Sequence, residues 1–144
     1  MPVIGMNINS IQAVKKGKTD AGLKVNNQTN IDSVTEQDLT GLGKKGLKIE
    51  FTYLTAYTVK SGTAAEIKIT GDVIYVGEDQ AEILKSWKAG KKLPEGVDIV
   101  IINHILRKGI TKTVALSEEL QLPPPIQMPF ASKKKAAEDN RYIG

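Results

Sequence analysis

The sequence predicts an α+β fold, an antiparallel sheet of about four strands with two or three C-terminal helices packed on one face. Three observations carry this. Apolar and polar residues alternate through residues 47–76, the period of a half-buried strand. From Asp79 to Leu120 the apolar spacing changes to three and four, the period of a helix. Three consecutive prolines, Pro123 to Pro125, then end any helix and force an extended course.

The elements run in order. Val3 to Ile8 alternates Ile4, Met6 and Ile8 with small or polar neighbours, which suits a half-buried strand. Leu23 to Val34 carries Leu23, Val25 and Ile31 at odd positions among several asparagines, which points to an edge strand. Leu47 to Val59 places Leu47, Ile49, Phe51, Tyr53, Tyr57 and Val59 on one face. Lys48, Glu50, Thr52, Thr58 and Lys60 fall on the other, where Leu54 and Ala56 are the apolar exceptions. Ser61-Gly62 makes a tight turn, and Ala64 to Val76 returns as the antiparallel partner. Gly71 interrupts that strand as a bulge or a close backbone approach. Asp79 with Glu82 reads as a capping box opening a helix with Ile83, Leu84 and Trp87 on its apolar stripe, stopped by Gly90. Pro94 and Glu95 suit the first turn of a second helix carrying Val97, Ile101, Ile102, Ile105 and Leu106. Ile110, Val114, Leu116 and Leu120 continue the register, as one helix weakened at Gly109 or as two joined there.

The chain has 144 residues, the size of one domain, with 40% hydrophobic and 25% charged residues, ordinary globular values. Residues 1–130 are expected to form that domain, with a basic tail, 131–144, after it. Cysteine is absent, which excludes disulfides, thiolate metal sites and cysteine nucleophiles. The single histidine, His104, excludes a multi-histidine metal site, and its place in an apolar helix marks it as structural. The first residues, MPVIGMNINS, lack the charged and apolar segments of a secretory signal, and the chain has no long apolar run; a cytoplasmic location is expected.

Gly41-Leu-Gly-Lys-Lys-Gly46 spells GxGxxG, but a dinucleotide site needs a strand before it and a helix after it. Here a strand comes after it, so the segment reads as a flexible Gly/Lys loop. No P-loop, nucleophile elbow or acid–base constellation is legible, and a non-enzymatic protein without cofactor or metal is expected. The proline run contains no PxxP. It is flanked by Leu122, Ile126, Met128 and Phe130, so an extended strap can lay alternate apolar side chains on the body or on a partner.

The order of strands, two helices and strap, with Gly71 before Val73 and Tyr75 in the last strand and Leu120-x-Leu122-x-Pro124 after the long helix, resembles the SecB family of export chaperones. The likeness covers residues 3 to 130, and the small archaeal SecB-like proteins are similar in length. It implies a dimer of dimers that holds unfolded polypeptide in apolar grooves without ATP. Candidate client-binding or interface residues are Leu54, Ala56, Ile74 and Val76, apolar on the otherwise polar sheet face, with Ile126, Met128 and Phe130 of the strap.

A second reading starts from charge. The net charge is +4, and half of it lies in residues 131–144, where Lys133, Lys134, Lys135 and Arg141 oppose Glu138 and Asp139. Together with Lys15, Lys16, Lys18, Lys44 and Lys45, these residues would make a phosphate-binding surface if they shared a face, the mark of a ribosome-associated, rRNA-binding protein. The apolar pattern ends before Ala131. Removing residues 131–144 is therefore expected to leave a cooperative thermal melt with an unchanged midpoint; a non-cooperative melt would contradict the boundary.

Overall fold

The computed structural model describes residues 3–17, 22–41 and 43–126. Four strands form one antiparallel sheet: β1 (Val3–Lys15), β2 (Lys24–Leu39), β3 (Lys44–Val59) and β4 (Gly62–Tyr75). Two helices come after the sheet, α1 (Gln80–Gly90) and α2 (Val97–Glu119). The strand order is β1-β4-β3-β2, so the predicted hairpin is the centre of the sheet and the first two strands are its edges. The α+β expectation holds, with β2 at an edge as its asparagines suggest.

β1 and β2 run well beyond Ile8 and Val34, where the simple alternation stops. The cause is a bulge at Asn9 and at Asp32; β1 has a further register shift between Val3 and Gly5, which takes Ile4 out of the expected alternation with Met6 and Ile8 and leaves it exposed. On β1, Ile8 pairs with Gly71 and Ser10 with Thr70, leaving Asn9 extra. On β2, Ile31 pairs with Phe51 and Ser33 with Glu50, leaving Asp32 extra. One extra residue moves the later side chains to the other face. Ile8 and Ile11, and Ile31 and Val34, thus share a face although each pair is three residues apart.

Gly71 is required where it stands. A Cβ there would lie 2.1 Å from the carbonyl oxygen of Asn7 on β1. The Gly/Lys segment is a turn only as far as Gly43: Gly41 and Gly43 have φ of +89° and +64°, and Lys44 to Gly46 already belong to β3.

Both helices lie on the face that carries Leu47, Ile49, Phe51, Tyr53 and Tyr57 of β3 and Ile67, Ile69, Val73 and Tyr75 of β4, all buried. Ile83 and Trp87 of α1 and Ile101 and Ile105 of α2 complete the main core. Removing such side chains from water is worth about 1.5–3 kcal/mol each. The buried stripe of α2 runs Ile101, Ile105, Gly109, Thr113, Ser117, large at its start and small at its end. The taper matches the sheet, where Tyr53 and Tyr57 stand under the small end.

The helix ends differ from the sequence reading. Asp79 makes no side-chain cap; both its carboxylate oxygens accept the Tyr75 hydroxyl at 3.0 Å. Burial, then the hydrogen bond and charge of Asp79, raise the Tyr75 pKa to about 12, so the phenol stays a donor. Lys91, not Gly90, takes the left-handed conformation after α1. Gly96, with φ of +92°, delays α2 until Val97. That helix is continuous through Gly109 and closes in a Schellman motif: Gln121 has φ of +56°, its N–H donates to the Glu118 carbonyl, and Leu122 N–H donates to the Ser117 carbonyl.

A Cβ on Gly109 would lie 3.0 Å from Cγ of Tyr53. Gly109→Val is expected to cost about 1–3 kcal/mol by overpacking, read as a lower urea midpoint. Gly90→Ala, with nothing within 4 Å, serves as the neutral control. Equal midpoints for the two variants would refute the close-approach account.

Candidate functional site

The candidate residues on the open sheet face do not form one groove. Leu54 pairs with Gln28 and Lys68, and Ala56 with Asn26 and Glu66. Ile74 pairs with Gly5 and Lys48 at the other end of the sheet. Six residues of β4 separate the Leu54 row from the Ile74 row, about 20 Å at ~3.3 Å per residue. Polar rows fill the gap. Thr52 pairs with Thr70, and Glu50 with Asp72. Asp72 is buried and accepts hydrogen bonds from Asn7 Nδ2 at 3.0 Å and Asn9 Nδ2 at 3.3 Å. Leu54 with Ala56, and Ile74 with Val76, are thus two small half-buried apolar patches.

The strap is tied to the helix-side face of the sheet. Leu122 is buried in a second cluster with Tyr57, Ala65 and Ile67. The Tyr57 hydroxyl donates to the Pro123 carbonyl at 2.6 Å, and Asn27 Nδ2 donates to the Pro125 carbonyl at 3.0 Å. Asn27 Oδ1 accepts from Thr55 Oγ1 at 2.7 Å and from the Tyr53 hydroxyl at 3.3 Å. Burial raises the pKa of both tyrosines, so each remains a donor at neutral pH. Proline lacks an N–H but keeps its carbonyl, so this segment fastens through acceptors alone. Ile126 emerges 38% exposed beyond these ties. Met128 and Phe130 lie outside the described residues.

Sequence reasoning missed the most exposed apolar side chains. These are Ile4 at 50% and Ile11 at 47% on β1, and Ile99 at 59% and Val100 at 45% on α2. Val14 on β1 and Val25 on β2 are also exposed. A signal existed for the helical pair: the run Ile99 to Ile102 spans more than one stripe of a helix can bury. Between β2 and the helices lies a cleft of ≈ 300 Å³, lined by Thr29, Ile31, Trp87, Leu93 and Ile102 among others. The Lys91 ammonium sits 5.7 Å from the centre of the Trp87 ring at its rim. His104 is half-buried on α2; burial, then Lys108 and Arg107, lower its pKa, so it is neutral at pH 7.

The described lysines do not gather into one phosphate-binding face. Lys15 pairs with Ala65 and Lys45 lies two residues before Leu47, the partner of Tyr75. The Ala65 and Tyr75 rows are ten residues of β4 apart, about 33 Å at ~3.3 Å per residue, and Lys45 lies further out still. Lys15 Nζ donates to the Leu120 carbonyl at 3.3 Å, at the negative end of the α2 dipole. Lys16 faces Glu66 at 3.8 Å, and Lys45 faces Glu36 at 3.5 Å. Lys44 is exposed at the start of β3. Lys18, Lys133, Lys134, Lys135 and Arg141 lie outside the described residues.

No family model matches the chain, and no curated protein matches it. Its fold is shared with SecB-like chaperones. A solved SecB-like chaperone of Mycobacterium tuberculosis, in complex with a ChAD peptide from an antitoxin, superposes with a TM-score of 0.53 at 14% identity, covering 91% of this chain and 90% of that one. The likeness is one of fold. Among the described residues no helix is long and apolar enough to cross a membrane.

Tyr57→Phe removes one strap tie and is expected to cost about 1 kcal/mol, the net worth of a typical hydrogen bond. Asn27→Ala removes three bonds and is expected to cost more. Both variants should speed amide exchange at Leu122; unchanged exchange in both would show that the prolines alone hold the strap.

Proposed function

We propose that this chain is a non-enzymatic, SecB-like holdase that binds unfolded polypeptide segments without nucleotide. The observation that carries the reading is the fold likeness over nine-tenths of the chain to a chaperone solved with a peptide bound. The exposed apolar side chains of β1, β2 and α2 support it, because scattered apolar surface next to a polar rim suits extended clients of varied sequence. Leu54 with Ala56, and Ile74 with Val76, add two further contact points on the open sheet face, and Ile126 one at the strap. Grouping in two patches fits a client that crosses the surface in extended form, with alternate side chains engaged.

The same apolar patches would also serve contact between copies of the chain, so client capture and particle size are read together. Purified protein is expected to suppress light scattering when a guanidinium-denatured protein is diluted into buffer without ATP. Leu54→Asp and Ile74→Asp should each weaken the suppression while leaving the thermal melt cooperative. If wild-type protein fails to suppress aggregation at a several-fold molar excess, the holdase reading is wrong. If the variants keep both full suppression and wild-type size in gel filtration, the open face is plain solvent-exposed surface.

A further inference from the structure

We propose that the outward face of α2 docks an acidic segment of another polypeptide, with carboxylates over Arg107, Lys108 and Lys112 and an apolar side chain over Val100. The inference goes beyond the holdase reading: it names the partner by its charge and does not need that partner to be unfolded.

The charge comes first. Between Asp98 and Glu118, α2 carries three cations, Arg107, Lys108 and Lys112, and no carboxylate. All three are exposed, and none forms an ion pair among the described residues. With Thr111 they line a shallow groove of ≈ 430 Å³ on the helix surface. Folding does not account for this arrangement. A helix gains from opposite charges four residues apart and loses from like ones, and Lys108 and Lys112 are like charges at that spacing. The positive field reaches His104, one turn earlier, where burial and then Lys108 and Arg107 disfavour the imidazolium. A carboxylate over the groove relieves this repulsion.

An independent observation lies on the same face. Val100 is 45% exposed, and Val100, His104, Arg107 and Thr111 recur at four, three and four residues, the spacing of one helix face. Val100 does not serve the core, whose stripe on α2 starts with Ile101 and Ile105. The outward face is thus apolar at its start and cationic further on. Val100 lies about 10 Å from Arg107 and about 18 Å from Lys112 at ~1.5 Å per residue. In an extended segment, at ~3.3 Å per residue, the matching carboxylates come about three to five residues from the apolar side chain.

Two other occupants match the face less well. A second copy seated on the groove about a two-fold axis sets cation against cation. A nucleic acid strand meets only two or three phosphates along the roughly 8 Å from Arg107 to Lys112, and α2 carries no Phe, Tyr or Trp on which bases could stack.

The test uses the full chain and a fluorescein-labelled synthetic peptide in which a leucine is followed, three residues on, by three glutamates. Fluorescence anisotropy is expected to show binding that weakens from about 50 to about 300 mM salt, with the glutamine version of the peptide bound roughly tenfold more weakly. Lys108→Gln with Lys112→Gln should weaken the acidic peptide roughly five- to tenfold, whereas Lys44→Gln with Lys60→Gln, which removes the same charge from exposed sites at the two ends of β3, should leave it within about twofold. Val100→Ser should weaken it as well. His104 is the single histidine, so its ring protons report on this face alone: the acidic peptide should move their resonances at pH 7 and the glutamine peptide should not. No binding of the acidic peptide, equal loss in the two double variants, unchanged affinity in Val100→Ser, or unmoved His104 resonances while the peptide binds overturns the proposal. So does a single-stranded oligonucleotide that binds more tightly than the peptide and is released by the Lys108 and Lys112 changes, or self-association in sedimentation that those changes abolish. A failed aggregation assay leaves all these outcomes untouched, so the two readings fail separately.

Discussion

The approach of α2 to the sheet at Gly109 over Tyr53 sets the height of the helical layer. At this point a helix without a side chain meets a tyrosine ring, and a Cβ would already be 3.0 Å from it. Thr113 and Ser117, one and two turns further on, keep the helix low; their hydroxyls donate to the Ile110 and Val114 carbonyls, so both polar groups are satisfied while buried. Because the helix ends low, its Schellman turn sets Leu122 beside Tyr57, Ala65 and Ile67. Tyr57 can then reach the Pro123 carbonyl. A larger residue at 109 would lift the helix, and the strap would lose its anchor.

The edges of the sheet obey another logic. Long edge strands invite pairing with other chains. Both edges here carry a bulge, at Asn9 and at Asp32, with polar side chains around it. The Asn9 amide donates to Asp72, and Asp32 accepts the Thr52 hydroxyl at 2.6 Å, so each bulge is pinned by a side-chain bond to the inner strand. β1 nevertheless leaves Ile4, Ile11 and Val14 exposed. That mixture of a guarded backbone and uncovered apolar side chains fits a surface that grips other chains by side-chain contact.

Two kinds of support meet in the proposed holdase function. The fold is shared with a peptide-bound SecB-like chaperone, and apolar groups are distributed over several small patches. Distribution matters physically, because a single deep apolar groove would select one sequence, whereas spaced patches tolerate many. The lysines serve other ends among the described residues: Lys15 steadies the end of α2, and Lys16 and Lys45 face carboxylates at the surface, where such pairs contribute little.

The sequence by itself determined the hairpin of β3 and β4, the two helices and the strap, because their periods are read within a single segment. Leu47 to Tyr57 and Ile101 to Leu116 carry their own pattern of burial. The lengths of β1 and β2 were hidden by the bulges at Asn9 and Asp32, since one extra residue breaks a period of two. Leu54, Ala56, Ile74 and Val76 were legible as apolar on a polar face, but their separation into two patches was not, because it depends on cross-strand register. Only the tertiary structure decided that the first two strands take opposite edges, that Gly109 is a contact point and not a weak one, and that the strap is tied to Tyr57 and Asn27. Each of these depends on contacts between residues far apart in the chain, and no local pattern encodes which distant backbone a glycine or a tyrosine will meet.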